Sequence, residues 1–170
     1  MKKPNKLLII TYYWPPAGGP GVQRWLKFVK YLPEFNIQPI VYIPENPTYP
    51  ITDKGLESEV SECAIILKNK ILEPYGFASF FGKSKTKKIS SGIIPNQKKQ
   101  SVLEKTILWV RGNLFIPDAR FLWVKPSVTY LKKYIEENNI DTIVTSGPPH
   151  SLHLIGLQLK KELNVKWFAD

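Results

Sequence analysis

A single cysteine, Cys63, excludes an intramolecular disulfide and any cysteine-rich metal site. Histidine is nearly as scarce: His150 and His153 are the only two. A metal held by that pair would need a third ligand, and Asp170 is the one plausible candidate, so a metal centre is not expected. No apolar run approaches the ~18 residues that read as a membrane span. Met1-Lys2-Lys3 is basic, but the apolar run after it is short and leads into Tyr12, Tyr13 and Trp14, so no signal peptide is expected. No Ser-His-Asp arrangement stands out. The G-x-G-x-x-G dinucleotide pattern would begin at Gly19 and Gly21, but Arg24 stands where its third glycine belongs. The P-loop pattern fails as well, because no Gly-Lys-Ser or Gly-Lys-Thr follows.

Acidic residues are few: 14 Asp and Glu against 24 Lys and Arg give a formal net charge of +10. Such a balance points to an anionic partner. The excess is local. Lys83, Lys85, Lys87, Lys88, Lys98 and Lys99 fall in one segment, 83–100, with no acid between them. Its low hydrophobicity and like charge predict a mobile basic loop. Together with the apolar residues around Trp109, the lysines form a candidate for contact with an anionic membrane surface; a solvated loop beside a core helix is the plainer reading. Nucleic acid is not an expected partner, because the run lacks interleaved aromatics and belongs to no recognised motif.

What is present is a regular alternation of strands and helices. Leu7 to Ile10 is an apolar, partly β-branched run suited to a buried strand. Val22, Trp25, Leu26, Val29 and Leu32 then mark one face of a helix from about Gly21 to Pro33. Between them lies a turn with Pro15, Pro16, Gly18, Gly19, Pro20 and Gly21. It is either a structural turn or a loop that lets backbone approach a phosphate. Ile37 to Ile43 predicts a second strand whose start, at Pro39, is irregular or at an edge. Asp53 to Glu62 predicts a short helix capped by Thr52 or Asp53, and Ala64 to Leu67 a short strand.

Ser101 to Phe115 predicts a very apolar helix opened by a capping box at Ser101 and Glu104. The next helix has Val124, Val128, Leu131 and Ile135 on one face, and Asn138-Asn139 closes it. Asp141 to Thr145 predicts a strand, Ser151 to Leu163 a helix, and Val165 to Ala169 a last strand. This order predicts one α/β domain, a mostly parallel sheet with helices on both faces. Ligands on such sheets bind beyond the carboxyl ends of the strands. That selects the loop after Thr11, the loop after Thr145, and Asp170. The second loop holds Ser146, Gly147 and His150. His150, near a helix N-terminus, is disfavoured as a cation, and its ring contacts either a ligand or its own helix end. Asp170 is either catalytic, a partner for a basic group, or a cap. Asp118 reads as a turn or cap residue beside Arg120. Tyr12, Tyr13 and Trp14 read as core wall.

YYWPPAGGPGVQRWLKFVKYL, PDARFLWV, TSGPPHSLHLIGLQLKKEL and WFAD together resemble the N-terminal domain of bacterial family 4 glycosyltransferases, of GT-B fold. The resemblance runs from about Lys6 to Asp170. It implies a Rossmann-like, acceptor-side half of a retaining enzyme. That enzyme moves a sugar from a nucleotide-sugar co-substrate to a glycan or lipid-linked acceptor, with no metal or other cofactor. It further implies that Gly18, Gly19 and Gly21 approach the donor diphosphate and the acceptor, and that His150 faces the donor sugar. Asp170 begins what is usually an acidic, arginine-containing loop. The donor-binding C-terminal domain is expected as a missing partner, and the fragment is expected to be inactive by itself. The expected location is cytoplasmic, peripheral on the inner face of the membrane, in surface-polysaccharide synthesis. Two rivals remain: a nucleotide-dependent oxidoreductase with Glu45 on a ribose, and a non-enzymatic basic module for anionic membrane.

Overall fold

A computed structural model describes residues 4–71 and 117–170. Five strands, β1 (Asn5–Thr11), β2 (Ile37–Pro44), β3 (Ile65–Asn69), β4 (Thr142–Ser146) and β5 (Lys166–Ala169), form one sheet in the order β3-β2-β1-β4-β5. Every neighbouring pair is parallel. The chain is therefore an α/β protein with the strand order of a doubly wound, Rossmann-like sheet. Among the described residues three α-helices accompany it: α1 (Pro20–Tyr31), α2 (Val124–Asn138) and α3 (Ser151–Leu163).

The period of two along each strand sorts the core into two layers. Leu8, Ile10, Ile40, Tyr42 and Ile143 pack with Val128, Leu131 and Ile135 of α2 and Leu152, Ile155 and Leu159 of α3. Ile9, Val41, Ile43 and Val144 face the other way, against Val22, Trp25, Leu26 and Val29 of α1. Each helix turns its apolar stripe to the sheet. Tyr42 ties the first layer across: its hydroxyl donates to Ser127 Oγ at 2.9 Å, and its ring stacks on Trp123 with centroids 5.1 Å apart. Burial pushes the Tyr42 phenol up to about 12, outweighing the opposing hydrogen bond with Ser127.

The start of β2 is regular, and of the two expectations from Pro39, an irregular start or an edge, the edge is the one observed. Pro39 pairs in register with Leu7 of β1, while β3 joins only from Ile40 onward. At the level of Pro39 the strand has one neighbour, so proline's missing N–H costs the ladder little. The predicted helix at 53–62 is a 3-10 turn, Lys54–Glu59, capped by Asp53, whose side chain accepts from Gly55 N–H at 3.0 Å. The basic loop with Lys83, Lys85, Lys87, Lys88, Lys98 and Lys99, and the apolar helix with Trp109, lie outside the described residues. Among the described residues no helix is long and apolar enough to cross a membrane.

Close packing on the α3 side depends on Gly156. A Cβ there would stand 2.3 Å from Trp167 Nε1 and 2.8 Å from Thr145 Cγ2. The absent side chain lets Trp167 of β5 lie against α3 and donate to Thr145 Oγ1 at 2.9 Å. Gly156→Ala is expected to destabilise the fold by about 1–3 kcal/mol through overpacking. Urea unfolding measures it, and a midpoint equal to the unsubstituted protein would refute the packing argument.

Candidate functional site

The sheet reverses its direction of growth between β1 and β4, and on doubly wound sheets the ligand crevice lies beyond the carboxyl ends of the strands at such a switch point. The pairing places Thr11 opposite Ser146. The two loops picked out in the sequence thus leave the sheet side by side, at one level.

The loop after β1 is anchored before it reaches α1. Gly18 N–H donates to Ile51 O at 3.0 Å, and Asp53 N–H to Pro16 O at 2.8 Å. A Cβ on Gly18 would meet Ile51 Cγ2 at 3.1 Å. Gly18 is therefore occupied with the loop's own fold, and its N–H is not offered to a ligand. Gly19 and Gly21 differ. Nothing lies within 4 Å of a Cβ built on either, and Gly19 has φ +114°, a conformation that favours glycine. Gly19 is the N-cap of α1 and carries no side chain to satisfy the helix's first N–H groups. Tyr12 and Trp14 are buried, in keeping with their reading as core wall. Tyr12 is also pinned: its hydroxyl donates to Thr48 O at 3.2 Å, and the Arg120 guanidinium lies over its ring, 5.0 Å from the centroid.

The loop after β4 carries Ser146, Gly147 and His150. His150 is the exposed N-cap residue of α3, and its ring makes no capping hydrogen bond. Asp118 does that work. Its Oδ2 accepts from Ser151 N–H at 2.8 Å, and its Oδ1 accepts from Arg120 N–H at 2.8 Å. The turn role expected of Asp118 is thus present, and the helix it caps lies 33 residues further along the chain. With the helix end satisfied from outside, the His150 ring is left for other contacts. Gly147 leaves room for two rings. A Cβ on it would meet His150 Nδ1 at 3.2 Å and His153 Nε2 at 3.1 Å. His153 Nδ1 is 2.9 Å from Thr145 Oγ1, which also accepts from Trp167 Nε1. Burial lowers the His153 pKa from 6.5, the neighbouring His150 lowers it further, and Asp170 opposes both.

Asp170 closes the third side. Its N–H donates to Thr145 O at 2.9 Å, and its carbonyl accepts from Gly147 N–H at 3.1 Å, fixing it beside the His150 loop. Its Oδ2 accepts from Ser146 Oγ at 2.8 Å and from Trp25 Nε1 at 3.2 Å, and forms an ion pair with Arg24. Trp25 Nε1 also donates to Ser146 Oγ at 2.6 Å. Of the roles open to Asp170 in the sequence, partner to a basic group is the one the geometry displays. Arg24, noted only as a departure from the dinucleotide pattern, and Trp25, read only as core, both belong to the site. Their partners are more than 120 residues away, so local spacing carried no sign of them. Among the described residues no group of His, Cys, Asp and Glu could hold a metal ion.

No family model and no curated protein matches the chain. Among solved structures it is similar to the C-terminal domain, residues 83–215, of PF1911 hydrogenase from Pyrococcus furiosus. The identity is 14%, all of this chain and 94% of that one are covered, and the TM-score is 0.48. A second structure of that domain, residues 78–226, gives 16% identity, 100% and 93% coverage, and a TM-score of 0.45. A likeness at this level carries no functional meaning.

Two outcomes are expected of these residues. Asp118→Ala should cost about 1 kcal/mol through the lost cap and speed hydrogen exchange at the Ser151 amide; unchanged exchange there would refute the capping role. His153 should titrate below 6.5. Because its pKa is lowered on folding, the unfolded chain binds the proton first, and stability should fall as pH drops from about 6.5 through the folded value. His153→Gln should flatten that part of the curve of urea midpoint against pH.

Proposed function

We propose that the chain is the acceptor-side domain of a retaining glycosyltransferase. It works with a second, donor-binding domain to move a sugar from a nucleotide-sugar to a glycan or lipid-linked acceptor in surface-polysaccharide synthesis. The reading begins from the sequence resemblance. One structural observation supports it most: the glycine-rich loop and the His150 loop leave adjacent strand ends, at Thr11 and Ser146, and flank one crevice. In this reading Gly19 and Gly21 admit the diphosphate, and their lack of side chains leaves the start of α1 open to negative charge. Gly147 lines the opposite wall, and the buried Ser146 supports it from behind. The exposed His150 ring, freed from capping by Asp118, meets a hydroxyl of the donor sugar. No cofactor or metal is required.

An oxidoreductase is the second reading. Glu45 stands, exposed, directly after the carboxyl end of β2, where a dinucleotide's ribose would be held. Against it stand Arg24 in place of the third glycine and a loop of eight residues, 12–19, between β1 and α1 where a tight turn is usual. Contact with an anionic membrane through the lysines of 83–100 belongs to the proposal too. Within the described residues basic and acidic side chains nearly balance, so that contact rests on the remainder of the chain.

Titration with UDP and GDP, followed by amide NMR, tests the leading reading. Shifts are expected at Gly19, Gly21, Gly147 and His150, with no sugar transfer from common nucleotide-sugars by the chain alone. Shifts with NADH centred on Glu45, and none with UDP or GDP, would replace it with the oxidoreductase. Binding to anionic vesicles is expected to weaken with salt. Equal binding to neutral vesicles would remove the electrostatic contact with membrane.

A further inference from the structure

We propose that Arg24 is the crevice's receptor for a diphosphate group, stored on Asp170 until an anionic ligand displaces that carboxylate. The inference rests on the glycosyltransferase reading and adds the residue that takes the donor's negative charge.

Among the described residues, the donors that reach the Asp170 side-chain carboxylate all meet one oxygen, Oδ2: Arg24, Trp25 and Ser146. Two of them are built into the scaffold. Trp25 is 8% exposed and Ser146 is 4% exposed, and the indole N–H also donates to the Ser146 hydroxyl. The third differs in kind. The Arg24 side chain is 49% exposed, on a long stem, and is joined to a carboxylate that is itself 34% exposed. If Arg24 leaves, Asp170 keeps two neutral donors and access to water. The departure therefore orphans no buried charge, which is the usual obstacle to breaking an ion pair.

The pair is also weak enough to exchange. An ion pair this open to solvent is stabilised by only a few-fold in its equilibrium. A diphosphate offers more negative charge than one carboxylate, and oxygens spaced for the planar guanidinium fork. Position completes the case. Arg24 lies on α1 shortly after the open Gly19 and Gly21, and it reaches across to the ends of β4 and β5. It spans the same crevice that the two loops flank. No acidic residue lies in the first turn of α1 to compete for the ligand's place. The substitution of arginine for the third glycine of a dinucleotide pattern thus exchanges close helix packing for a mobile cation at the phosphate end.

Pyrophosphate is the probe, titrated at low salt into the unsubstituted chain, Arg24→Gln, Asp170→Asn and the double variant. Binding is read by calorimetry and by the Trp25 indole resonance, which reports directly on Asp170. Arg24→Gln is expected to weaken binding about tenfold through the lost charge-assisted contacts. Asp170→Asn, which removes the competitor, is expected to tighten it by about threefold to fivefold. The double variant should match Arg24→Gln, and the Trp25 indole of the unsubstituted chain should shift at saturation. Binding that is indifferent to Arg24→Gln, or that leaves the Trp25 indole unmoved, would overturn the receptor role and leave the glycosyltransferase reading standing. Absence of binding by every folded variant at millimolar pyrophosphate would overturn both. The Trp25 readout needs no substitution, so it decides the matter even if Asp170→Asn fails to fold.

Discussion

Everything at the candidate site depends on the pairing of β1 with β4. These strands are far apart in sequence, yet their parallel ladder sets Thr11 against Ser146 and thereby fixes where both loops begin. A slip of one residue would turn each strand's apolar set to the wrong face. The core forbids that. Ile9 and Val144 are committed to the α1 layer, and Leu8, Ile10 and Ile143 to the α2–α3 layer. The site's geometry is thus held by hydrophobic alternation, and the polar contacts refine a position already imposed.

Those polar contacts have a common logic: each loop is held by groups from elsewhere in the chain. Gly18 is tied to Ile51, α3 is capped by Asp118, and the β4 end is braced by Trp25 and Asp170. Cross-bracing of this kind holds backbone in place without spending the functional groups. It leaves the start of α1 at Gly19 and Gly21 without a side-chain cap, and it relieves the His150 ring of capping α3.

The sheet was legible in the sequence because alternation and helical spacing are local signals, and Leu7–Ile10, Val22–Val29 and Ser151–Leu163 carry them strongly. Both loops were legible for the same reason. Pro39 left an irregular start and an edge position both open, because its cost depends on how many neighbours a strand has at that level, which is a property of the sheet. Arg24, Trp25 and Asp118 could not be placed, because each acts on a partner from another element. Asp118 had the chemistry of a cap, but its helix is not the one that follows it. Conversely, Gly18 belonged to an evident glycine cluster, and only the tertiary structure separates it, as a loop anchor, from Gly19 and Gly21.

The ends of the helical stretches carry one more consequence. Asn36, Asn139 and Asn164 adopt a left-handed conformation, with φ of 57°, 52° and 53°, and are followed directly by Ile37, Ile140 and Val165. Asparagine tolerates that conformation better than most residues, so the stop is written into the chain at the point where it acts. A parallel sheet closes only through contacts distant in sequence, which makes its search slow. Local stops shorten that search, because each strand begins at a set place before it has met its neighbour. The same three residues that end the helical stretches therefore also set where each following strand can start.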